Sequence, residues 1–263
     1  QLFPRHTVYQ RLAEHSVPSF VLQSRDYTPS ALSSVVCDGA TITPFDDLQG
    51  GLNSLCALNE SLKTRYYATL YWGAIDAASH HDGPESPQFA DAVDSCFQLL
   101  ESALHRRLTE HGRKTLLLLT ADHGQTAVDP ATTIYLNREV PGIDGWIARN
   151  RRGDLLVPAG SARDMFLHIY PDRLDEAEMR LREHLQGRAA VHRVDDLIAQ
   201  GFFGRGEPGR AFLERVANLV VLPLGQESVW WLEPGKFSMT FRGHHGGLTP
   251  AEMETELLAL AYG

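Results

Sequence analysis

The sequence is short of several things at once. It has three cysteines in 263 residues, Cys37, Cys56 and Cys96, odd in number and far apart. No Cys-x-x-Cys occurs, which argues against a disulfide framework and a thiolate zinc site. Each cysteine is expected to be a small, buried, reduced residue, and reduced thiols fit a cytoplasmic location. No apolar run approaches the roughly 20 residues that span a bilayer; the longest, near Leu219–Leu224, reads as a strand. Positive charge is scarce, with 24 Lys and Arg against 33 Asp and Glu and a net charge of −9. Basic residues gather only at Arg106–Arg107 and at Arg149, Arg151 and Arg152, so the basic stripe of a nucleic-acid binder is missing. A polyanionic partner would be repelled unless a bound cation reversed the sign locally. Gly-x-Gly-x-x-Gly, Walker and EF-hand patterns are absent as well, which leaves dinucleotide, P-loop and calcium-loop chemistry unsupported.

What is there is an ordinary globular composition, 43% hydrophobic and 22% charged, enough for one large α/β domain or one domain with a smaller insert. The periodicity predicts a short amphipathic helix over Thr7–His15 and a strand over Pro18–Gln23. Thr43–Leu62 begins with turn-like residues and continues as a helix with Leu48, Leu52, Leu55 and Leu58 on one face. Tyr66–Trp72 reads as a buried strand that runs into a polar loop, residues 75–87. Pro87 starts a long helix, with Phe89, Cys96, Phe97, Leu100, Leu104 and Leu108 on one stripe and Gly112 as its stop. Lys114–Thr120, a continuous apolar run, reads as a strand buried on both faces of a parallel sheet. Strand, helix, strand in that order is a βαβ unit, and open parallel sheets bind ligands at the carboxyl ends of their strands. From about Pro141 to Arg242 the texture changes. Strands at Arg163–Tyr170, Ala189–Val194, Ala217–Leu222 and Ser228–Leu232 and a helix at Asp175–Leu185 suggest an α+β cap. The expected organisation is a core of residues 1–140 and 242–263 with the cap at 141–241.

Three segments carry chemistry. They are Asp76-Ala77-Ala78-Ser79-His80, followed by His81 and Gly83-Pro84; Thr120-Ala121-Asp122-His123-Gly124-Gln125-Thr126; and Arg242-Gly243-His244-His245-Gly246-Gly247-Leu248-Thr249-Pro250. All three are expected in loops, the first two directly after core strands. Carboxylate oxygen and imidazole nitrogen suit zinc, manganese and iron. An adjacent Asp-His pair at a strand end can point two ligands at one ion, and an Asp and a His four apart can serve a second. Two such ions about 3.5–4 Å apart would clamp the attacking and leaving oxygens of a phosphoryl displacement.

Taken together, LTADHGQT, DAASHHDGPES and GHHGGLTPAEM resemble the metal motifs of the alkaline-phosphatase superfamily, and within it the type I phosphodiesterase/nucleotide pyrophosphatase family. The resemblance implies an α/β fold, a parallel-sheet core with helices on both faces and a small α+β cap insert. It also implies a metal-dependent hydrolase of phosphate esters that uses two divalent ions, zinc or alternatively manganese, on a small phosphate-ester or nucleotide substrate. Carried over by position, Asp122 and His123 would bind one metal, and Asp76, His80 and His245 the other. His245 is preferred to His244 because it directly precedes glycine, and His80 to His81 because it has the four-residue spacing. His81 and His244 are left to orient ligands or face solvent.

The family pattern has two further elements nearer the N-terminus, an Asp ligand and a Thr or Ser nucleophile that is phosphorylated in turnover. Val35-Val36-Cys37-Asp38-Gly39 looks superficially like a strand ending in Asp-Gly, but Thr41 and Thr43 follow too closely, so a polar loop is expected there. The chain starts at Gln1 rather than Met. The expectation is that a preceding segment of the same protein carries the nucleophile and that this chain alone is inactive. Two other readings stay open: a phosphomutase of the same superfamily, and a catalytically inactive metal-binding module. Trp230, Trp231 and Phe202–Phe203 could line a substrate pocket, but core is the expected role.

Overall fold

The computed structural model describes residues 6–111 and 113–263. They divide into two compact units. One takes in the described residues up to Ala77 with Pro87–Thr120 and Leu257–Gly263; the other takes in Ala78–Ser86 and Ala121–Glu256. Among the described residues no helix is long and apolar enough to cross a membrane.

In the first unit a Thr7–Gln10 capping box starts α1 (Val8–Glu14). β1 (Ser19–Ser24), α2 (Ala31–Val36), β2 (Thr41–Phe45), α3 (Leu48–Ser61) and β3 (Tyr67–Leu70) follow. The strands lie in the order β2-β1-β3, both pairs parallel, which is the mixed α/β architecture with a parallel sheet expected from the motifs. Two local readings need correction. Of Val35–Gly39, expected as a polar loop, Val35 and Val36 are instead the last residues of α2, which Ser30 and Ser33 start with a capping box. Cys37 ends that helix, and Gly39, at φ +92°, turns the chain into β2. Residues 41–45, read at their Thr43 end as turn-like, form a strand because β-branched Thr41, Ile42 and Thr43 fit a pleated edge, where Pro44 is also tolerated.

The expected polar loop after β3 is instead a helix, α4 (Ala74–Asp82). Alanines at 74, 77 and 78 favour it, and Gly83, at φ +94°, donates its N–H to the Ser79 carbonyl and ends it. The long helix from Pro87 is present as α5 (Pro87–Leu99), a π-helical stretch Leu100–His105 and α6 (Arg106–His111); its expected stop at Gly112 lies outside the described residues. Cys96, Ala103, Leu104 and Leu108 pack with Leu48, Leu52 and Cys56 into one core. Phe97 falls off the stripe edge and is exposed. All three cysteines are buried and free.

The strand after it, β4 (Thr115–Thr120), is the main correction. It pairs antiparallel with the C-terminal strand Leu257–Tyr262, from Leu257↔Thr120 to Tyr262↔Thr115. Leu117 and Tyr262 pack on the core, whereas Leu116 and Leu118 are 66% and 56% exposed. Burial on both faces is therefore not observed. Likewise β3 is an edge strand rather than a buried one, with Tyr67 exposed at its start and Tyr71 exposed just past its end.

The second unit holds β5 (Thr126–Ala127), β6 (Ile134–Tyr135) and α7 (Leu136–Glu139), then β7 (Ala159–Ser161), β8 (Asp164–Leu167), α8 (Leu174–His184), β9 (Ala189–Arg193), α9 (Val194–Ala199) and β10 (Leu219–Pro223). β7, β8, β10 and β9 make a four-stranded antiparallel sheet in that order. Leu167, Leu181, Leu219, Val221 and Val229 form its dry core. β11 (Val229–Trp230) pairs with β6, and β12 (Gly243–His244) with β5. Trp230 and Trp231 pack partly buried against that core and line a cleft of about 400 Å³ with Met165 and Phe237. Phe202 and Phe203 are not core: both are exposed, with the Phe203 ring tilted against those of Phe166 and Phe212.

Candidate metal centre

The centre is built on backbone that only glycine permits. β12 approaches α4 so closely that a Cβ on Gly243 would run into the Ser79 carbonyl. That approach lets the Arg242 N–H donate to the His80 carbonyl (2.8 Å), while the Val128 N–H donates to the Arg242 carbonyl (2.9 Å). Gly243 and His244 then pair with Ala127 and Thr126 of β5. The helix carrying His80, the loop after β4 and the loop carrying His245 are thus knitted by main-chain hydrogen bonds. Gly243→Ala is expected to cost about 1–3 kcal/mol by overpacking, read as a fall in thermal midpoint with the fold retained.

His80 is oriented from behind. Its Nδ1 lies 2.8 Å from the Gly243 carbonyl, so Nδ1 carries the proton and Nε2 the lone pair, the tautomer that a metal-binding imidazole needs. Asp76 sits one turn before it on α4, and the ligand atoms of Asp76 and His80 lie within 4.8 Å of each other. The ligand atoms of His80 and His245 are within the same distance, their ring centroids 5.1 Å apart. His80 is common to both pairs. Two imidazoles and a carboxylate are a group that could hold a metal ion.

Asp122 and His123 follow β4 as expected. The His123 ring stacks on that of His245 at 3.6 Å and 15°, and its Nε2 is 3.7 Å from Asp122 Oδ1. The Asp122 side chain is 68% exposed. Among the described residues this pair completes no group of three ligands. Of the two histidines set aside, His81 faces solvent beside Asp82. His244 lies edge-on to His80, centroids 5.3 Å apart. Burial, with His80 and His245 next to it, pushes the His244 imidazole down to about 4, so it is neutral at pH 7.

Several residues not named from the sequence as site residues hold the loop of His245. Ser161 at the end of β7 donates its hydroxyl to the His245 carbonyl (3.1 Å), sharing that proton with the Asp164 carboxylate. Arg163 and Glu252, 0% and 2% exposed, pair beneath the His245 loop. One signal was available for them: a full charge heading an apolar strand, Arg163 before Asp164–Leu167, requires a buried partner. Which of the many carboxylates supplies it is a long-range fact.

The sequence pattern of a family described as type I phosphodiesterase / nucleotide pyrophosphatase matches residues 6–247. Among solved structures, human ectonucleotide pyrophosphatase/phosphodiesterase 5 superposes with a TM-score of 0.66 at 15% identity, over 96% of this chain and 62% of that one. The murine protein gives 0.65 at 14% identity with the same coverage. An inactive variant of the murine protein in complex with AMP gives 0.65 at 15%, again over 96% and 62%. The chain therefore spans about three fifths of the length of these solved relatives. None of the curated proteins matches it in sequence.

Proposed function

Because the chain belongs to the type I phosphodiesterase/nucleotide pyrophosphatase family, we propose that it is the metal-binding part of a two-metal hydrolase of phosphate esters. Asp76, His80 and His245 hold one divalent ion, and Asp122 and His123 contribute to the other. The observation that carries this reading is the oriented His80, tied through Nδ1 to the Gly243 carbonyl with its ligand atoms close to those of Asp76 and His245. Three protein ligands with an open position is the pattern of catalytic zinc, and zinc is the ion proposed, with manganese as the alternative. When bound, the two ions supply the positive charge that a transferring phosphoryl group requires. This chain's residues do the rest by arrangement. Gly243 fixes the His80 tautomer, the main-chain pairing of β12 with β5 fixes the approach of His245, and neutral His244 adds no positive charge beside them.

The substrate class proposed is a nucleotide-type phosphodiester or pyrophosphate, supported by the AMP complex of the murine relative. The nucleophilic Thr or Ser and the remaining ligands of the second ion are proposed to lie on polypeptide preceding Gln1. One feature supports this. The face of β4 bearing Leu116 and Leu118 is uncovered apolar surface, of a kind that normally meets a partner. In this structure the Asp38 side chain and carbonyl accept hydrogen bonds from Gln10 and Thr7.

The test is an assay of phosphodiester hydrolysis with added Zn2+ or Mn2+, on the chain alone and on the chain joined to its upstream polypeptide. Activity is expected only in the joined protein. Hydrolysis by the chain alone, lost on Asp38→Ala, would overturn the proposed location of the nucleophile.

A further inference from the structure

We propose that Arg163 and Glu252 form a positioning clamp that holds the two ligand loops, 122–124 and 245–247, with Ser161 and Thr249 as its side arms. The proposal rests on the metal assignment above and goes beyond it to residues not assigned there as ligands.

The geometry is complete on all sides. Arg163 donates Nε–H and Nη2–H to the two oxygens of Glu252, at 2.9 and 2.8 Å, a fork-on-fork pair. The third guanidinium nitrogen donates to the Glu227 carbonyl. Glu252 Oε1 also accepts the Gly247 N–H (2.9 Å), and Oε2 accepts the Thr249 hydroxyl (2.6 Å). A Cβ on Gly247 would lie only 2.8 Å from the carboxylate, so the close approach depends on glycine. The Glu252 carbonyl accepts the Gly124 N–H (2.9 Å). One residue thus holds the loop of Asp122 and His123 by its main chain and the loop of His245 by its side chain. From the other side the Ser161 hydroxyl reaches the His245 carbonyl and accepts the Arg163 N–H (3.1 Å). Gly246, at φ +117°, passes against Ser161 and Asp164. His245 is held on both flanks by groups whose own partners are filled.

Stability alone does not account for an ion pair here. Apolar side chains of similar volume usually serve a buried site at least as well. What they cannot supply is an acceptor for the Gly247 N–H and the Thr249 hydroxyl, and those two bonds fix the turn that follows His245. Ligands oriented by such outer partners typically lose about 10–100-fold in metal affinity when the partner goes.

The experiment measures Zn2+ affinity of the full chain by chelator competition and the visible spectrum of its Co2+ form, beside the thermal midpoint of the metal-free chain. The variants are Ser161→Ala, Thr249→Val, Thr249→Ser and the paired Arg163→Met/Glu252→Leu. Zn2+ affinity is expected to fall about 10–100-fold in the paired variant, and by smaller factors in Ser161→Ala and Thr249→Val. A changed Co2+ spectrum is expected in the paired variant, and Thr249→Ser should retain the parental values. Affinity within about twofold of the parent in a folded paired variant would overturn the clamp. If that variant fails to fold, Thr249→Val against Thr249→Ser decides by the same criterion. A parent chain that binds no Zn2+, indistinguishable from its His245→Ala variant, would instead overturn the metal assignment and the clamp with it.

Discussion

Replacing His245 by alanine is expected to lower Zn2+ affinity by more than about 100-fold, beyond the range for loss of an outer partner. His245 is a proposed donor whose ring packs against two others, stacked on His123 at 3.6 Å and 5.1 Å from His80. Removing it leaves Asp76 and His80 as two donors on one helical turn, too few for a firmly held tetrahedral ion. His81→Ala is the control: its ring is exposed and paired with Asp82, so its affinity should match the parent. Chelator competition on both variants checks the pair. Equal affinities for His245→Ala and the parent would remove His245 from the site.

Arg163→Met alone is expected to destabilise the chain by about 3–5 kcal/mol, the cost of stranding a buried charge. Glu252 is 2% exposed; without Arg163 its carboxylate must remain ionised in a dry site or take up a proton. The paired Arg163→Met/Glu252→Leu change removes both charges and should recover most of that loss. Denaturant unfolding of the two variants measures the difference. A single variant as stable as the parent would mean that the site is wetter than its burial implies.

The same pair gives a pH dependence. Burial pushes the Glu252 carboxyl up, but hydrogen bonds from Arg163 and Thr249 outweigh it and leave it below its ordinary 4.5. A carboxyl depressed on folding contributes stability that is present above 4.5 and lost as the pH falls through its lower folded value. The parent should therefore lose stability in that window more steeply than the paired variant.

How legible the molecule was depends on the range of the interaction. Periods of 3.6 and 2 residues are local, and they located α3, the helix from Pro87, α8, β1, β8, β9 and β10 within a few residues. The alanine-rich start of α4 was masked by its polar neighbours and read as loop. β4 could not be read correctly from its own sequence: a run of four leucines is apolar on both faces whether one is covered or two, and the partner strand is more than 130 residues away.

By itself the sequence determined the donor types, Asp and His, their spacing in three segments, and through those motifs the family. Only the tertiary structure decided that Gly243 could fix the His80 tautomer, that His81 turns to solvent, and that Glu252 is the partner of Arg163. Helix and strand preferences are set by neighbours along the chain. A hydrogen bond between residues 89 or 163 positions apart is set by which segments the fold brings within 3 Å, and no local pattern encodes that.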